Sequence, residues 1–210
     1  MSLNLIIGNK RYSSWSLRAA LALELSGAPY TEQLIALDRA DTQARIREHS
    51  PTGKVPLLKT EEGPVWDSLA IGEYLAERFP EAHLWPRGQY ARALARSVCA
   101  EMHSGFVALR THLPMDLKRD QALAEVPDDA LADIRRVCAL WAECRERFGQ
   151  DGPFLFGHAS LADAYFAPAA ARLRSYQVDL PEVAAAYVAT VYQWPAFQRW
   201  YQAALKEQLG

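Results

Sequence analysis

Two short stretches carry residues whose types and order could do chemistry. In Gly53-Lys54-Val55-Pro56-Leu57 a proline stands against a short apolar run. A strand there needs a backbone donor that proline lacks, so the Val-Pro pair suits an edge, a bend or a cis peptide. A cis bond leaves the amide and carbonyl of Val55 facing outward, free to pair with an extended peptide. Further on, Asp67-Ser68 opens an amphipathic segment and puts a carboxylate, a hydroxyl and free amides at a helix N-terminus, where the macrodipole favours an anion. Strand-like pairing beside a seat for a carboxylate suits a small peptide ligand.

A third stretch, Tyr12-Ser13-Ser14-Trp15-Ser16-Leu17-Arg18, sets two hydroxyls where a loop enters the first helix. Helix-start geometry ranks Ser14, four residues before Arg18, ahead of Ser13, which falls just outside the helix. Whichever hydroxyl is idle serves as N-cap. Tyr12 is open to three roles: a hydrogen bond to a ligand, a wall for a second ligand, or a packing staple.

The elements that must position these residues follow from periodicity and punctuation. Leu3 to Ile7 is an apolar run of strand length closed by Gly8-Asn9, and Ser14 to Ser26 is a helix ended by Gly27 and Pro29. Tyr30 to Leu37 reads as a second strand, Asp38 to His49 as a weak helix or loop, and Leu57-Leu58 and Val65-Trp66 as two short strands before the Asp67-Ser68 helix. Residues 1–80 therefore form one small sheet with helices on its faces, in the order β-α-β-α-β-β-α. Residues 81–88 are a Pro-containing connector, and residues 89–210 read as wholly helical. Helices are expected at Tyr90 to Leu113, Ala130 to Phe148, Leu180 to Tyr192 and Pro195 to Leu209. Between them, Ser160-Leu161-Ala162-Asp163 is a capping box opening a helix that runs to about Arg174.

Composition sets bounds. The chain has 210 residues, 50% of them apolar and 23% charged, within the range of a folded globular protein. Net charge is −2, with 9 basic against 10 acidic residues before Pro80 and 14 against 15 from there on, so neither half offers the basic face that nucleic acid requires. Cys99, Cys138 and Cys144 form no paired motif, and an odd number of cysteines without a signal peptide fits reduced thiols in a cytoplasmic protein. No apolar run is long enough to span a bilayer. The five histidines show no metal-ligand spacing, so no metal is expected.

Taken together, these motifs resemble the cytosolic glutathione S-transferases. The likeness covers essentially the whole chain: a thioredoxin-like first domain (βαβ-ββα), a connector, and a helical-bundle second domain. Gly53 to Leu57 is similar to that family's Val-Pro loop, Asp67 to Ile71 to its acid-Ser motif, and Gly157 to Asp163 to its second-domain capping box. Tyr12 to Arg18 most resembles the serine-type classes, the zeta class in particular, which includes maleylacetoacetate isomerases.

The resemblance implies glutathione as co-substrate, a homodimer, a detoxifying role and no membrane. It assigns the Val55 main chain to the cysteinyl part of glutathione, Asp67 and Ser68 to the γ-glutamyl amine and carboxylate, and Lys54 to a carboxylate, with Tyr12 and Pro56 beside them. The thiolate is the nucleophile and a free thiol is mostly protonated at neutral pH, so Ser14 or Ser13 is expected to stabilise charged sulfur for attack on an electrophile.

A second substrate is expected between the domains. His103, Phe106 and Arg110 share one helical face by spacing, and Arg172 and Arg174 end the capping-box helix. A cleft-facing arginine favours an anionic or carbonyl-bearing electrophile. Glutathione-dependent isomerisation, peroxidase-type turnover and a non-catalytic glutathione-fold module stand as alternatives. Thiol-disulfide exchange ranks low, because the first domain contains no cysteine.

Overall fold

In the computed structural model, which describes residues 3–208, the chain runs β1 (Leu3–Ile7), α1 (Ser14–Ser26), β2 (Tyr30–Leu34), α2 (Thr42–Arg47), β3 (Leu57–Lys59), β4 (Pro64–Val65), α3 (Ser68–Arg78), and then a single 3-10 turn at Pro80–Ala82. The helices α4 (Gln89–Ser104), α5 (Val107–His112), α6 (Asp128–Phe148), α7 (Leu161–Ser175), α8 (Glu182–Gln193) and α9 (Pro195–Lys206) follow. The sheet order is β2-β1-β3-β4, with β1 parallel to β2 and antiparallel to β3, and β3 antiparallel to β4. This is a thioredoxin-like layer joined to a helical bundle. Leu209, the last residue of the helix expected from Pro195, lies outside the described residues.

The apolar run of β1 exists because both faces of that strand are covered. Leu3, Leu5 and Ile7 point into the main core, while Ile6 packs with Ile35, Ile46 and Leu57 in a second, smaller core under α2. Helix α1 packs against both α3 and α7. It is therefore apolar almost all round, with Leu17, Ala19, Leu21, Ala22 and Leu23 essentially inaccessible. Gly27 ends it in the left-handed region, at φ 67°.

The loop feeding α1 is held from three directions. Arg11 is paired bidentately with Asp116, and its carbonyl accepts from Leu117 N at 3.2 Å. The amides of Lys10 and Arg11 donate to the Glu207 carboxylate at 3.0 and 3.1 Å, and Trp200 Nε1 donates to Lys10 O at 2.9 Å. The start of α1 is thus fixed by residues from the far end of the chain.

Two expectations, the length of the second strand and the unbroken helix after Gln89, are corrected, and the helix-or-loop segment between Asp38 and His49 is decided. β2 stops at Leu34 rather than Leu37, because Asn9 Oδ1 takes the Leu37 amide at 2.7 Å and turns the chain away from the sheet. The polar segment after it condenses only as the short α2, its entry closed by Thr42 Oγ1, which donates to Ala36 O and accepts from Arg39 N. The helix expected from Tyr90 to Leu113 is two helices, broken at Gly105-Phe106. A side chain at Gly105 would meet Glu101 O at 2.8 Å, and Phe106 takes φ 55° to drive its ring into the core. Asp133 Oδ2 then accepts from Leu109 N and anchors the new helix.

The capping box at α7 forms as expected, with both reciprocal bonds present. Asp163 is fully buried and accepts from Leu155 N, Ser160 N, Ser160 Oγ and Tyr187 Oη. All three cysteines are free and buried. Burial pushes each thiol up, Cys144 to about 12. Among the described residues, no helix is long and apolar enough to cross a membrane, and no cluster of side chains could hold a metal ion.

Candidate functional site

A cavity of about 470 Å3 opens where the sheet-bearing part meets α4. Thr52, Lys54, Val55 and Pro56 form one side, Trp66, Asp67 and Ser68 another, and Trp15 and His103 close it. Gly53, at φ 65°, supplies the turn that aims Lys54 and Val55 into it. The Val55-Pro56 peptide is cis, as is Trp66-Asp67. The amide and carbonyl of Val55 have no hydrogen-bond partner among the described residues. An open donor and acceptor on a residue that lines a cavity can take the backbone of a peptide in strand-like pairing.

Asp67 caps α3: its Oδ1 accepts from Leu69 N at 2.9 Å. Its Oδ2 lies 3.0 Å from His103 Nε2, so a residue of α4 reaches the same carboxylate. Ser68 is buried, and its Oγ is without a hydrogen-bond partner among the described residues. This end of the cavity therefore offers a carboxylate for a cation and, one residue on, a hydroxyl and helix-end amides for an anion.

Trp15 stands out within the wall. The guanidinium of Arg18 is 4.5 Å from its ring centroid and that of Arg110 is 5.6 Å away, while the His103 ring meets it edge-on at 5.1 Å. Arg18 also lies 5.2 Å from the ring of Tyr165. Arg18 and Arg172 are almost wholly buried, and burial is the largest cause of their lowered proton affinity, to about 10 and about 9. Both remain charged at neutral pH.

The two serines differ in what they bond. Ser13 is the N-cap of α1, accepting from Ser16 N at 3.4 Å and donating to Ser16 Oγ at 2.7 Å. Ser14 begins the helix, and its Oγ accepts from Arg172 Nη2 at 3.3 Å. The Ser13 proton is committed; that of Ser14 is not. Neither serine is among the residues lining the cavity, and both sit beside Trp15, which is.

Of the remaining expected residues, Lys54, Val55, Pro56, Asp67, Ser68 and His103 share the one cavity. Tyr12 is half-buried with Arg11 over its ring at 4.8 Å, outside that lining. The single helical face drawn through His103, Phe106 and Arg110 is corrected by the break at Gly105: Phe106 is a core residue between helices. Arg110 nonetheless returns to His103, donating to its carbonyl at 3.4 Å. Arg174 is exposed and stacks on Tyr192 at 4.1 Å, whereas Arg172 turns inward to Ser14. Trp15, Trp66, Thr52 and Arg18 were not among the expected site residues. The i, i+3 spacing of Trp15 and Arg18 at a helix start was the one available signal.

Comparison with known proteins agrees with this fold. Residues 12–78 match the family profile of the glutathione S-transferase N-terminal domain, and residues 89–203 that of the glutathione S-transferase C-terminal domain. The chain belongs to the glutathione S-transferase family. Among curated relatives, a probable maleylacetoacetate isomerase of Caenorhabditis elegans is 33% identical over 97 residues, covering 46% of this chain and 45% of that one. A maleylacetoacetate isomerase of Pseudomonas aeruginosa is 28% identical over 165 residues, covering 74% and 75%. The chain spans under half the length of the first curated relatives it matches, 45% and 39%. Among solved structures, a maleyl pyruvate isomerase described as a bacterial glutathione S-transferase of the zeta class superposes with TM-score 0.76 at 24% identity, covering 98% of this chain and 100% of that one. A glutathione transferase homolog from Burkholderia with bound glutathione gives TM-score 0.73 at 21% identity, covering 99% and 100%. At these identities the structural likeness bears on the fold.

Proposed function

We propose that the protein is a glutathione transferase: it seats glutathione in the cavity between Val55 and Asp67 and presents the sulfur as thiolate to an electrophilic small molecule. The observation that carries this reading is the convergence, on one 470 Å3 cavity, of an unpaired Val55 backbone with a carboxylate and a buried hydroxyl at the N-terminus of α3. The cysteinyl unit pairs with Val55, the γ-glutamyl ammonium meets Asp67, the γ-glutamyl carboxylate takes Ser68 and the α3 amides, and Lys54 meets the glycyl carboxylate. Ser14 is the donor to sulfur, since its hydroxyl proton is uncommitted, and Ser13 is the cap. In this reading residues 1–80 bind glutathione, residues 81–88 link, and residues 89–210 shape the second-substrate site, with Arg110 facing the electrophile. The protein acts in the cytoplasm as a homodimer.

Calorimetry with glutathione tests the seat directly: binding at millimolar ligand or tighter is expected, and none at all leaves a non-catalytic module. Turnover with a panel of aryl halides, unsaturated keto acids and hydroperoxides then selects the chemistry. A second reading, isomerisation of an unsaturated acid through a reversible glutathione adduct, is favoured by the maleylacetoacetate isomerases among the relatives and by the arginines near Ser14. In that chemistry sulfur adds to the double bond, rotation follows, and the same sulfur leaves, so glutathione is not consumed.

A further inference from the structure

Three arginines from three helices, Arg18, Arg110 and Arg172, converge at the start of α1, and none of them forms an ion pair among the described residues. Arg18 and Arg172 are 1% and 4% exposed. Nε and Nη1 of Arg18 and Nε of Arg172 have no hydrogen-bond partner among the described residues. Among the described residues, no carboxylate pairs with either of them or with Arg110. Burying a guanidinium without a counter-charge is costly, and three that repel one another compound that cost. The strain shows in the lowered proton affinity of Arg18 and Arg172, caused first by burial and then, among their charged neighbours, by each other or by Arg110.

The titratable groups facing the cluster supply no free anion. Cys99 of α4 and Tyr165 of α7 are pushed up by burial and stay neutral, as does Tyr176, whose hydroxyl donates to Pro114 O. Asp67, whose field reaches Arg18, is already engaged by His103 and the Leu69 amide. The region at the base of α1 is therefore net positive, in a low-dielectric setting where such a field acts strongly.

Among the described residues, the one side chain that the cluster hydrogen-bonds is Ser14, while Arg110 donates to the His103 carbonyl at 3.4 Å. Arg172 Nη1 is turned back to Pro168 O at 3.2 Å, and Nη2 donates to Ser14 Oγ at 3.3 Å. The serine oxygen is thereby an acceptor from a cation, which leaves its O–H as the donor and strengthens what it donates. A lone neutral hydroxyl holds a thiolate weakly, and a buried positive field behind it changes that balance.

We propose that Arg172, acting through Ser14 and together with Arg18 and Arg110, holds the sulfur of bound glutathione as the thiolate, so that the missing counter-charge of the cluster arrives with the ligand. The inference rests on the reading of the cavity as a glutathione seat. No bond to the protein forms: the thiol proton leaves to solvent, and the negative charge stays on sulfur. Linkage makes the effect reciprocal, since whatever the arginines contribute to the thiolate, the thiolate returns to the arginines as relief of their repulsion. Arg172 is a positioning residue in this scheme, and Ser14 is the group that touches sulfur.

The test compares glutathione with S-methylglutathione, which cannot ionise at sulfur, in the full-length protein and in Arg172→Met, Arg172→Lys and Arg110→Met. The thiolate ultraviolet absorbance of bound glutathione is followed against pH, with binding of both ligands measured by calorimetry. In Arg172→Met the pKa of the bound thiol rises by about one unit or more, while affinity for S-methylglutathione stays within about twofold; lysine restores part of the shift and Arg110→Met gives a smaller one. An unchanged thiol pKa in Arg172→Met, or a change confined to affinity for a carboxylated electrophile, overturns the proposal. If Arg172→Met does not fold, an unshifted thiol in both Arg172→Lys and Arg110→Met overturns it equally. Failure of the unsubstituted protein to bind either ligand removes the glutathione reading, and this inference with it.

Discussion

His103 Nε2 lies 3.0 Å from Asp67 Oδ2, so the carboxylate that caps α3 is shared between its own helix and α4. Under the proposed function, this carboxylate is also the partner of the γ-glutamyl ammonium. His103 holds Asp67 in one rotamer and occupies one of its two oxygens before any ligand arrives. His103→Ala is expected to weaken glutathione binding about three- to tenfold by calorimetry, the loss of one hydrogen bond to a charged group. Tighter binding in the variant would mean that His103 competes for Asp67 rather than orients it.

Asp67→Ala separates two roles that one side chain combines. Loss of the cap bond to Leu69 N is expected to lower stability by about 1 kcal/mol, read from denaturant midpoints at constant slope. Glutathione affinity should fall by more than tenfold in the same variant. Asp67→Asn keeps a cap acceptor and loses the charge, so it should recover the stability and not the affinity.

The adjacent serines are expected to part company. Ser14→Ala removes the uncommitted donor, and kcat/KM should fall about 10- to 100-fold, with a drop in thermal midpoint as well because the buried Arg172 Nη2 loses its acceptor. Ser13→Ala removes the N-cap and should cost about 1 kcal/mol of stability, with the smaller effect on turnover. The reverse pattern would transfer the sulfur contact to Ser13.

Much of this arrangement is legible in the chain, and the division follows how local each feature is. The Val55-Pro56 corner, the Asp67 cap and the Ser160–Asp163 box are written within a few consecutive residues, and each forms where the sequence puts it. The break at Gly105-Phe106 is not legible, because apolar positions at helical spacing run on to Leu109 and the ring of Phe106 is consistent with either reading. Nor is the choice between Arg172 and Arg174 open to sequence alone. Two residues apart on a helix, they point to nearly opposite sides, and only the packing of α7 on α1 decides which one turns inward. Trp15 reads as a core position of α1 and becomes a cavity wall for the same reason.

Asp163 carries a pH signature. Burial lifts its carboxyl from 3.8 to about 6 against four hydrogen bonds that favour the ionised form. Between those two values the native state holds a proton that the unfolded chain has released, so this group makes stability fall as pH rises from about 4 to about 6. Denaturant midpoints across that range should show the slope in the parent and lack this component in Asp163→Asn. Asp163→Ala should lose about 2 to 4 kcal/mol at any pH, since the Leu155 and Ser160 amides and the Tyr187 hydroxyl are left unpaired.

The three cysteines acquire a meaning from the proposed chemistry. Compounds that react with a bound thiolate alkylate any other accessible thiolate, and a protein that handles them is exposed to its own reagents. Here Cys99, Cys138 and Cys144 are shielded from solvent and kept protonated by their surroundings. The sulfur that is made reactive is borrowed and departs with the product, while the resident sulfurs stay inert through every cycle.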